Sequence, residues 1–185
     1  EMRGIADGAG VLLEDVIMIN ARTEVIAKAR LIKNKPVELE AEELDDGCTG
    51  AVILPERSAT GAVIHGQNWD WKAECAETAI VLRVRREDGP DILTFVEAGG
   101  LARSGMNSAG ICITANYLES ERDFTRTGVP LALIRRKVLE QEHFAFAIKA
   151  VAATPKSCSN NMMISTVQGF AIDFECAPDE AFPIY

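Results

Sequence analysis

The sequence has few of the residues from which metal centres and disulfide frameworks are built. It contains two histidines and five cysteines in 185 residues, without a CxxC or HxxxH spacing. An odd number of cysteines without paired spacing argues against a disulfide framework and against a structural zinc site. We therefore expect reduced thiols, a cytoplasmic location and no bound metal.

Long apolar runs and an excess of positive charge are also missing. No apolar run is long enough to span a bilayer, and no signal-peptide pattern opens the chain. The 28 acidic and 19 basic residues give a formal charge of −9. Because a phosphate-binding surface needs the opposite sign, the composition predicts neither nucleic acid nor membrane as a partner. Oligomeric state stays open.

The length fits one domain with a substantial core. The chain begins at Glu1 inside a helical pattern, without an initiator methionine, and we interpret it as a piece of a longer protein. Six of its acids lie between Glu38 and Asp46. Such a charged run is typical of a solvated loop, and the same accessibility would suit a segment that leads to a processing site.

The periodicity predicts helices at both ends of a run of strands. Residues 1–29 read as two helices, the second continuing through Asn20–Glu24, and residues 129–141 and 144–153 read as two more. Between and after them lie short β-rich segments, including a hairpin over 162–175. This order predicts an α+β protein with mainly antiparallel strands and one structural domain.

A cysteine begins the first predicted strand. Residues 48–54 and 61–67 read as a hairpin with residues 55–60 as its turn. Pairing Leu54 with Gly61 would place Cys48 opposite Gln67 and would bring Asp70 near the thiol. A thiol beside a carboxylate and amide groups suits acyl chemistry. The alternative for Cys48 is a small buried apolar residue.

Five short motifs follow one another along the chain. They are Asp46-Gly47-Cys48-Thr49, Gly66-Gln67-Asn68-Trp69-Asp70, Glu97-Ala98-Gly99, Asn107-Ser108-Ala109-Gly110 and Thr127-Gly128-Val129-Pro130. In this order they resemble the family of the acyl-coenzyme A:6-aminopenicillanic acid acyltransferases and their bacterial relatives (peptidase C45 type), a cysteine branch of the N-terminal-nucleophile (Ntn) hydrolases. The choloylglycine hydrolases are similar but more distant.

The resemblance implies a four-layer αββα sandwich, incomplete in this chain, and a zymogen that cuts itself. The Cys48 thiol would attack the Gly47 carbonyl, which separates a helical part, residues 1–47, from a β-chain core, residues 48–185. The cut would free an α-amino group beside the thiol. Since such an amine has a pKa of roughly 7.7–8.0, it could accept the thiol proton without a histidine base.

The resemblance also implies roles for several side chains. Asp70 would orient the Cys48 ammonium group, and Asn116 would donate to the oxyanion. Gln67 stands where choloylglycine hydrolases carry an arginine, which argues against bile-salt specificity. Weaker substrate-binding candidates are Gln67, Trp69, Asn161 and Arg22. Ordinary structural roles compete with these: a capping carboxylate for Asp70, a hairpin end for Asn161 and a helix-surface ion pair for Arg22.

The predicted function is that of an amidohydrolase that cleaves a linear amide of a small molecule through a Cys48 acyl-enzyme. The alternative within the enzyme class is an acyltransferase, with coenzyme A as a candidate acyl donor and no other cofactor. From another class, the chain could be a non-catalytic relic or binding module. The relatives carry a further active-site asparagine and arginine, which the resemblance places beyond Tyr185.

Overall fold

The computed structural model describes residues 1–32 and 47–185, so the acidic run before Cys48 lies outside the described residues. The described residues form five helices and nine strands. The helices are α1 (Met2–Ala9), α2 (Leu13–Asn20), α3 (Arg22–Ile32), α4 (Leu131–Leu139) and α5 (Phe144–Ala153). The strands are β1 (Cys48–Ile53), β2 (Ile64–Trp69), β3 (Ala79–Val84), β4 (Ile92–Glu97), β5 (Ser104–Asn107), β6 (Ile111–Tyr117), β7 (Asn160–Thr166), β8 (Phe170–Cys176) and β9 (Ala181–Ile184).

Seven of the strands form one antiparallel sheet in chain order, β3 to β9. The helices α4 and α5 connect β6 to β7 and pack on one face of this sheet, because alternate residues of β6 and β7 are apolar and buried there. The fully buried centre of that layer consists of Ile113, Ile134, Val151, Met162 and Ile164. The predicted helices over 129–141 and 144–153 are confirmed.

The hairpin β1–β2 forms a second sheet against the other face of β6 and β7. His65 of β2 joins the two sheets: its Nδ1 lies 2.7 Å from the Ser165 hydroxyl and its Nε2 lies 2.9 Å from that of Thr114. The predicted class, α+β with mainly antiparallel sheets, is confirmed, and α4 and α5 lie outside the large sheet. The sheets are not closed.

The N-terminal region differs from its prediction, because residues 20–24 do not continue one helix. The second helix ends at Asn20 and a third begins at Arg22. Asn20 is buried; its side chain donates to the carbonyls of Val16 and Gly99 and accepts from the amide of Leu101, each at 2.9 Å. These long-range bonds fix the break, and no local periodicity encodes them.

The register of the first hairpin also differs from its prediction, by two residues. Cys48 pairs with Trp69, and Gln67 lies opposite Gly50. The connection is longer than predicted, because a 3₁₀ turn over Pro55–Arg57 takes the chain out of the ladder after Ile53. A slip of two residues keeps every side chain on its predicted face, so Cys48 and Gln67 still share one side of the hairpin.

The last strand, β9, has no counterpart in the sequence prediction. It pairs with β8 at one edge of the large sheet. Pro183 lies within it, and because proline cannot donate a ladder hydrogen bond, the local sequence argues against a strand here. An edge strand tolerates proline, since one of its sides has no partner strand. None of the helices within residues 1–32 and 47–185 has the length and apolarity needed to cross a bilayer.

Candidate active site

Cys48 is half-buried at the start of β1, on the side of the hairpin that faces the large sheet. Its ladder partner, Trp69, ends β2 on the same side. Directly opposite residues of an antiparallel pair have Cα atoms about 4.5–5.5 Å apart, so the side chains of Cys48 and Trp69 leave the backbone as neighbours on one face. The end of the hairpin therefore presents a thiol and an aromatic ring together.

Asn116 approaches the same hairpin from β6. Its Oδ1 accepts a hydrogen bond of 2.8 Å from Gln67 Nε2, and a Cβ built on Gly50 would lie 3.6 Å from its Nδ2. The amide therefore lies against β1 at Gly50, two residues along the strand from Cys48 and on the same face. Of the predicted groups, Gln67 and Asn116 are in contact, and Cys48 lies next along this face of β1.

Gln67 is fixed from several sides. Its Nε2 also donates to the carbonyl of Ala115 at 2.7 Å, and its Oε1 accepts from the Ser104 hydroxyl at 2.5 Å. All polar atoms of its side chain are therefore engaged with the large sheet. In this arrangement, Gln67 orients Asn116 and leaves no amide hydrogen free for a ligand.

The side chains of Asn161 and Asp70 make no hydrogen bond to those of Cys48, Gln67 or Asn116 among the described residues. Asn161 lies directly opposite Asn116 in the ladder and donates to Asp173 at 2.7 Å, while its Oδ1 is buried without a partner among the described residues. Asp70 follows Trp69 and is exposed. The roles predicted for both residues stay predictions.

Trp69 is the centre of an aromatic and cationic stack. Its ring lies 6.3 Å from that of Trp71 and contacts Phe95 edge-on at 5.6 Å. The guanidinium of Arg103 lies 3.8 Å from the ring centroid, a close cation–π contact. This residue, from the turn between β4 and β5, was not singled out from the sequence.

Arg22 pairs with Glu97 rather than with a neighbour on its own helix. The two side chains meet at 2.5 Å, and the guanidinium lies 5.1 Å from the centroid of Trp71. Although burial acts to raise the pKa of Glu97, the hydrogen bond and charge of Arg22 outweigh it and lower the pKa. Arg22 therefore lies at the edge of the aromatic stack.

A buried arginine, Arg135 of α4, connects to the site through Asn160. Its Nη2 donates to Asn160 Oδ1 at 3.1 Å, and Asn160 Nδ2 donates to the backbone carbonyl of Asn116 at 2.6 Å. Glu24 lies on the same side, accepting from the Leu131 amide at 2.7 Å, and its burial raises its pKa. Sequence reasoning missed these residues because more than 100 positions separate Glu24 from α4.

Burial disfavours the guanidinium charges of Arg103 and Arg135. It lowers the pKa of Arg103 to about 9, with the charges of Arg135 and Arg22 adding to the effect. It also lowers the pKa of Arg135 to about 10, against the attraction of Glu24. Negative charge on the Cys48 sulfur acts to raise both values, so both arginines are within electrostatic reach of the thiol.

Two cavities adjoin these residues. The larger, about 410 Å³, lies between the sheets and has mainly apolar walls that include Trp69, Leu93, Phe95 and Met106. The smaller, about 30 Å³, has Arg22, Arg103, Arg135 and Glu97 in its wall. Trp69 lines the larger cavity, and Arg103, whose guanidinium lies over the Trp69 ring, lines the smaller one.

Solved structures show the fold class of this arrangement, that of the Ntn hydrolases. The N-acylethanolamine-hydrolyzing acid amidase ortholog of Caenorhabditis elegans superposes with a TM-score of 0.54 at 18% identity, over 75% of this chain and 64% of that one. A variant of the conjugated bile acid hydrolase of Clostridium perfringens gives 0.50 at 14% identity, over 73% and 50%. At these identities the likeness shows the fold.

Sequence comparison identifies the family within that class. The family model described as acyl-coenzyme A:6-aminopenicillanic acid acyl-transferase matches residues 57–176. The 40 kDa form of the Emericella nidulans acyl-coenzyme A:6-aminopenicillanic-acid-acyltransferase is 32% identical over 143 residues, 76% of this chain and 34% of its own length. The chain belongs to this family of enzymes, and it spans about a third of the fungal relative.

Proposed function

We propose that this protein is an autoprocessing amidohydrolase with Cys48 as its N-terminal nucleophile. The observation that carries the proposal is the position of Cys48 at the start of β1, on the face that Asn116 approaches across Gly50. A cut before Cys48 would create a chain that begins with the thiol-bearing residue. Residues 1–47 would then be the α-chain, and residues 48–185 would belong to the β-chain.

The cut follows from the same thiol. Cys48 Sγ attacks the carbonyl carbon of Gly47, the Gly47–Cys48 C–N bond breaks, and the amide nitrogen leaves as the new α-amine. The acyl group is then a thioester on sulfur, which water hydrolyses to a Gly47 carboxylate and a free thiol. Glycine at position 47 lacks a Cβ and tolerates the backbone conformations that this attack requires.

Catalysis then uses the new amine as the base. The amine takes the thiol proton, and the thiolate attacks the amide carbonyl of the substrate. Asn116 Nδ2 donates to the oxyanion as charge develops, and Asp70 holds the ammonium form of the base. The C–N bond breaks as the ammonium protonates the leaving amine. Water attacks the resulting thioester with the amine again as base, which releases a carboxylic acid.

His65 does not compete for the role of base. Both of its ring nitrogens are engaged by hydroxyl groups, and burial lowers its pKa to about 4. A general base that works near neutral pH needs a pKa closer to 7. The other histidine, His143, lies at the start of α5 against Phe146. The α-amine mechanism therefore does not depend on a histidine.

The second candidate function is acyl transfer, in which an amine replaces water as the acceptor. The description of the matching family and the name of the fungal relative favour it, since both name an acyl-coenzyme A-dependent acyltransferase. In this variant, coenzyme A thioester is a substrate and no other cofactor takes part. Both functions share the acyl-enzyme, act on small molecules and fit a cytoplasmic protein.

Mass spectrometry and N-terminal sequencing of the full-length protein test the proposal. We expect wild-type protein to yield a chain that begins at Cys48 and Cys48→Ala protein to remain intact. Cys75→Ala removes another half-buried thiol and serves as the matched control, which should still be cut. An uncut wild type, unreactive toward acyl probes, would contradict the mechanism and favour a non-catalytic relic.

A further inference from the structure

The small cavity that Arg103 lines is rich in basic side chains. Three arginines, one glutamate, Asn20 and Thr23 make up its polar lining, and Ile19, Val96, Ala102 and Ala132 contribute apolar surface. The one carboxylate, Glu97, is already engaged by Arg22 at 2.5 Å. Cations in apolar surroundings are costly unless an anion or acceptor is near. Outside the lining, Glu24 attracts Arg135, so two carboxylates stand against three guanidinium groups.

Two of these arginines, Arg135 and Arg103, have side-chain N–H groups without an acceptor among the described residues. Arg135 is 5% exposed, and its Nε is buried without a hydrogen-bond partner among the described residues. Arg103 forms no salt bridge within the described part of the chain; its guanidinium lies 3.8 Å from the centroid of Trp69, and Glu97 attracts its charge without pairing with it. Buried N–H groups are nearly always satisfied in folded proteins, so the unpartnered Nε–H of Arg135 indicates a ligand that supplies oxygen atoms, and the half-buried Arg103 lines the same cavity.

The size and place of the cavity indicate which ligand. A volume of about 30 Å³ holds one or two water-sized groups, which is the room that a carboxylate occupies. Guanidinium groups bind carboxylates through paired hydrogen bonds. Arg103 spans the distance from this cavity to Trp69, the ladder partner of Cys48. A carboxylate on Arg103 would lie on the order of 10 Å or less from the thiol.

We propose that Arg103 and Arg135 form a subsite for a carboxylate of the substrate, so that the preferred amide carries this group a few bonds from its scissile C–N bond. This inference rests on the proposed amidohydrolase function. It adds the substrate class: an N-acyl amino acid if the carboxylate is on the amine part, or a dicarboxylic acid monoamide if it is on the acyl part.

Matched substrate pairs test the subsite in processed full-length protein. Hexanoylglycine against hexanoylglycinamide places or removes the carboxylate on the amine side. Glutaryl-4-nitroanilide against butyryl-4-nitroanilide does so on the acyl side. We expect wild-type kcat/KM to favour the carboxylate in one pair by about 10- to 100-fold, the range for charge-assisted hydrogen bonds. The pair that shows the preference identifies the side.

Substitution of Arg103 should reduce that preference. Arg103→Gln is expected to lower the carboxylate-to-neutral ratio of kcat/KM by about 10- to 100-fold, and Arg103→Lys should retain part of it. Arg83→Gln is the matched control, because Arg83 is an exposed arginine on β3 that pairs with Asp91. A wild type that favours the neutral member of both pairs, or an unchanged ratio in Arg103→Gln, overturns the inference.

Binding separates this inference from the proposed function. Calorimetry on Cys48→Ala protein measures affinity for the same pairs without turnover. We expect the carboxylate member of one pair to bind at least about 10-fold more tightly, and Arg103→Gln in the Cys48→Ala background to remove the difference. Equal affinities within both pairs would overturn the subsite whether or not the wild type has amidase activity. Tighter carboxylate binding without turnover would contradict the amidohydrolase alone.

Discussion

His65 is expected to make the stability of this protein depend on pH in the mildly acidic range. Burial lowers its pKa from 6.5 to about 4. The ring lies on the hairpin that contains Cys48 and hydrogen-bonds this hairpin to the large sheet. Between pH 6.5 and pH 4, the unfolded chain binds a proton at this position and the folded chain does not. The free energy of unfolding therefore falls as pH falls through that window.

The size of the effect follows from the two pKa values. Between pH 7.5 and pH 5.0, a histidine that titrates at 6.5 unfolded and about 4 folded removes about 2 kcal/mol. The ring keeps part of its solvent contact, so we expect about 1–2 kcal/mol. At pH 7.5, His65→Gln should cost a further 1–3 kcal/mol, roughly, because the Thr114 and Ser165 hydroxyls lose their partners.

Urea denaturation at both pH values measures this contribution. The pH-dependent loss in wild type should exceed that in His65→Gln by about 1–2 kcal/mol, since carboxylates contribute alike to both proteins. The only other histidine in the sequence, His143, is exposed, and His143→Gln should behave as wild type. The same pH dependence in His65→Gln and wild type would refute a depressed His65 pKa.

Two further predictions concern the chemistry, both in processed protein. Asp70→Asn should fold normally and form the acyl-enzyme about 100-fold more slowly, because the Cys48 ammonium loses its partner; stopped-flow acylation measures this, and an unchanged rate would leave Asp70 a structural cap. Asn116→Ala should lower kcat by about 10²- to 10³-fold with little change in KM, because its amide binds the oxyanion more strongly than the substrate carbonyl. Steady-state kinetics with circular dichroism as a fold check decide this, and a loss confined to KM would mean that Asn116 only holds the substrate.

The parts of the fold encoded by local pattern were predictable from the sequence. Helices over 129–141 and 144–153 and the hairpin over 162–175 follow from periodicity and from turn residues, and the structure has each of them. The side of β1 and β2 on which each residue lies was also predictable, since alternation along a strand survives a register slip of two residues. The family was predictable too, because the motifs around Cys48 and Gln67 are contiguous in the chain and do not depend on folding to be recognised.

Tertiary structure decided what depends on residues that are distant in sequence. The break after Asn20 exists because Gly99 and Leu101 complete its hydrogen bonds, and the register of β1 with β2 depends on how the turn after Ile53 folds. The cationic cavity requires Arg22, Arg103 and Arg135 to meet from three separate elements. The local sequence pattern does not predict these contacts. The packing of helices against a sheet brings the charges together, and local propensity does not determine it.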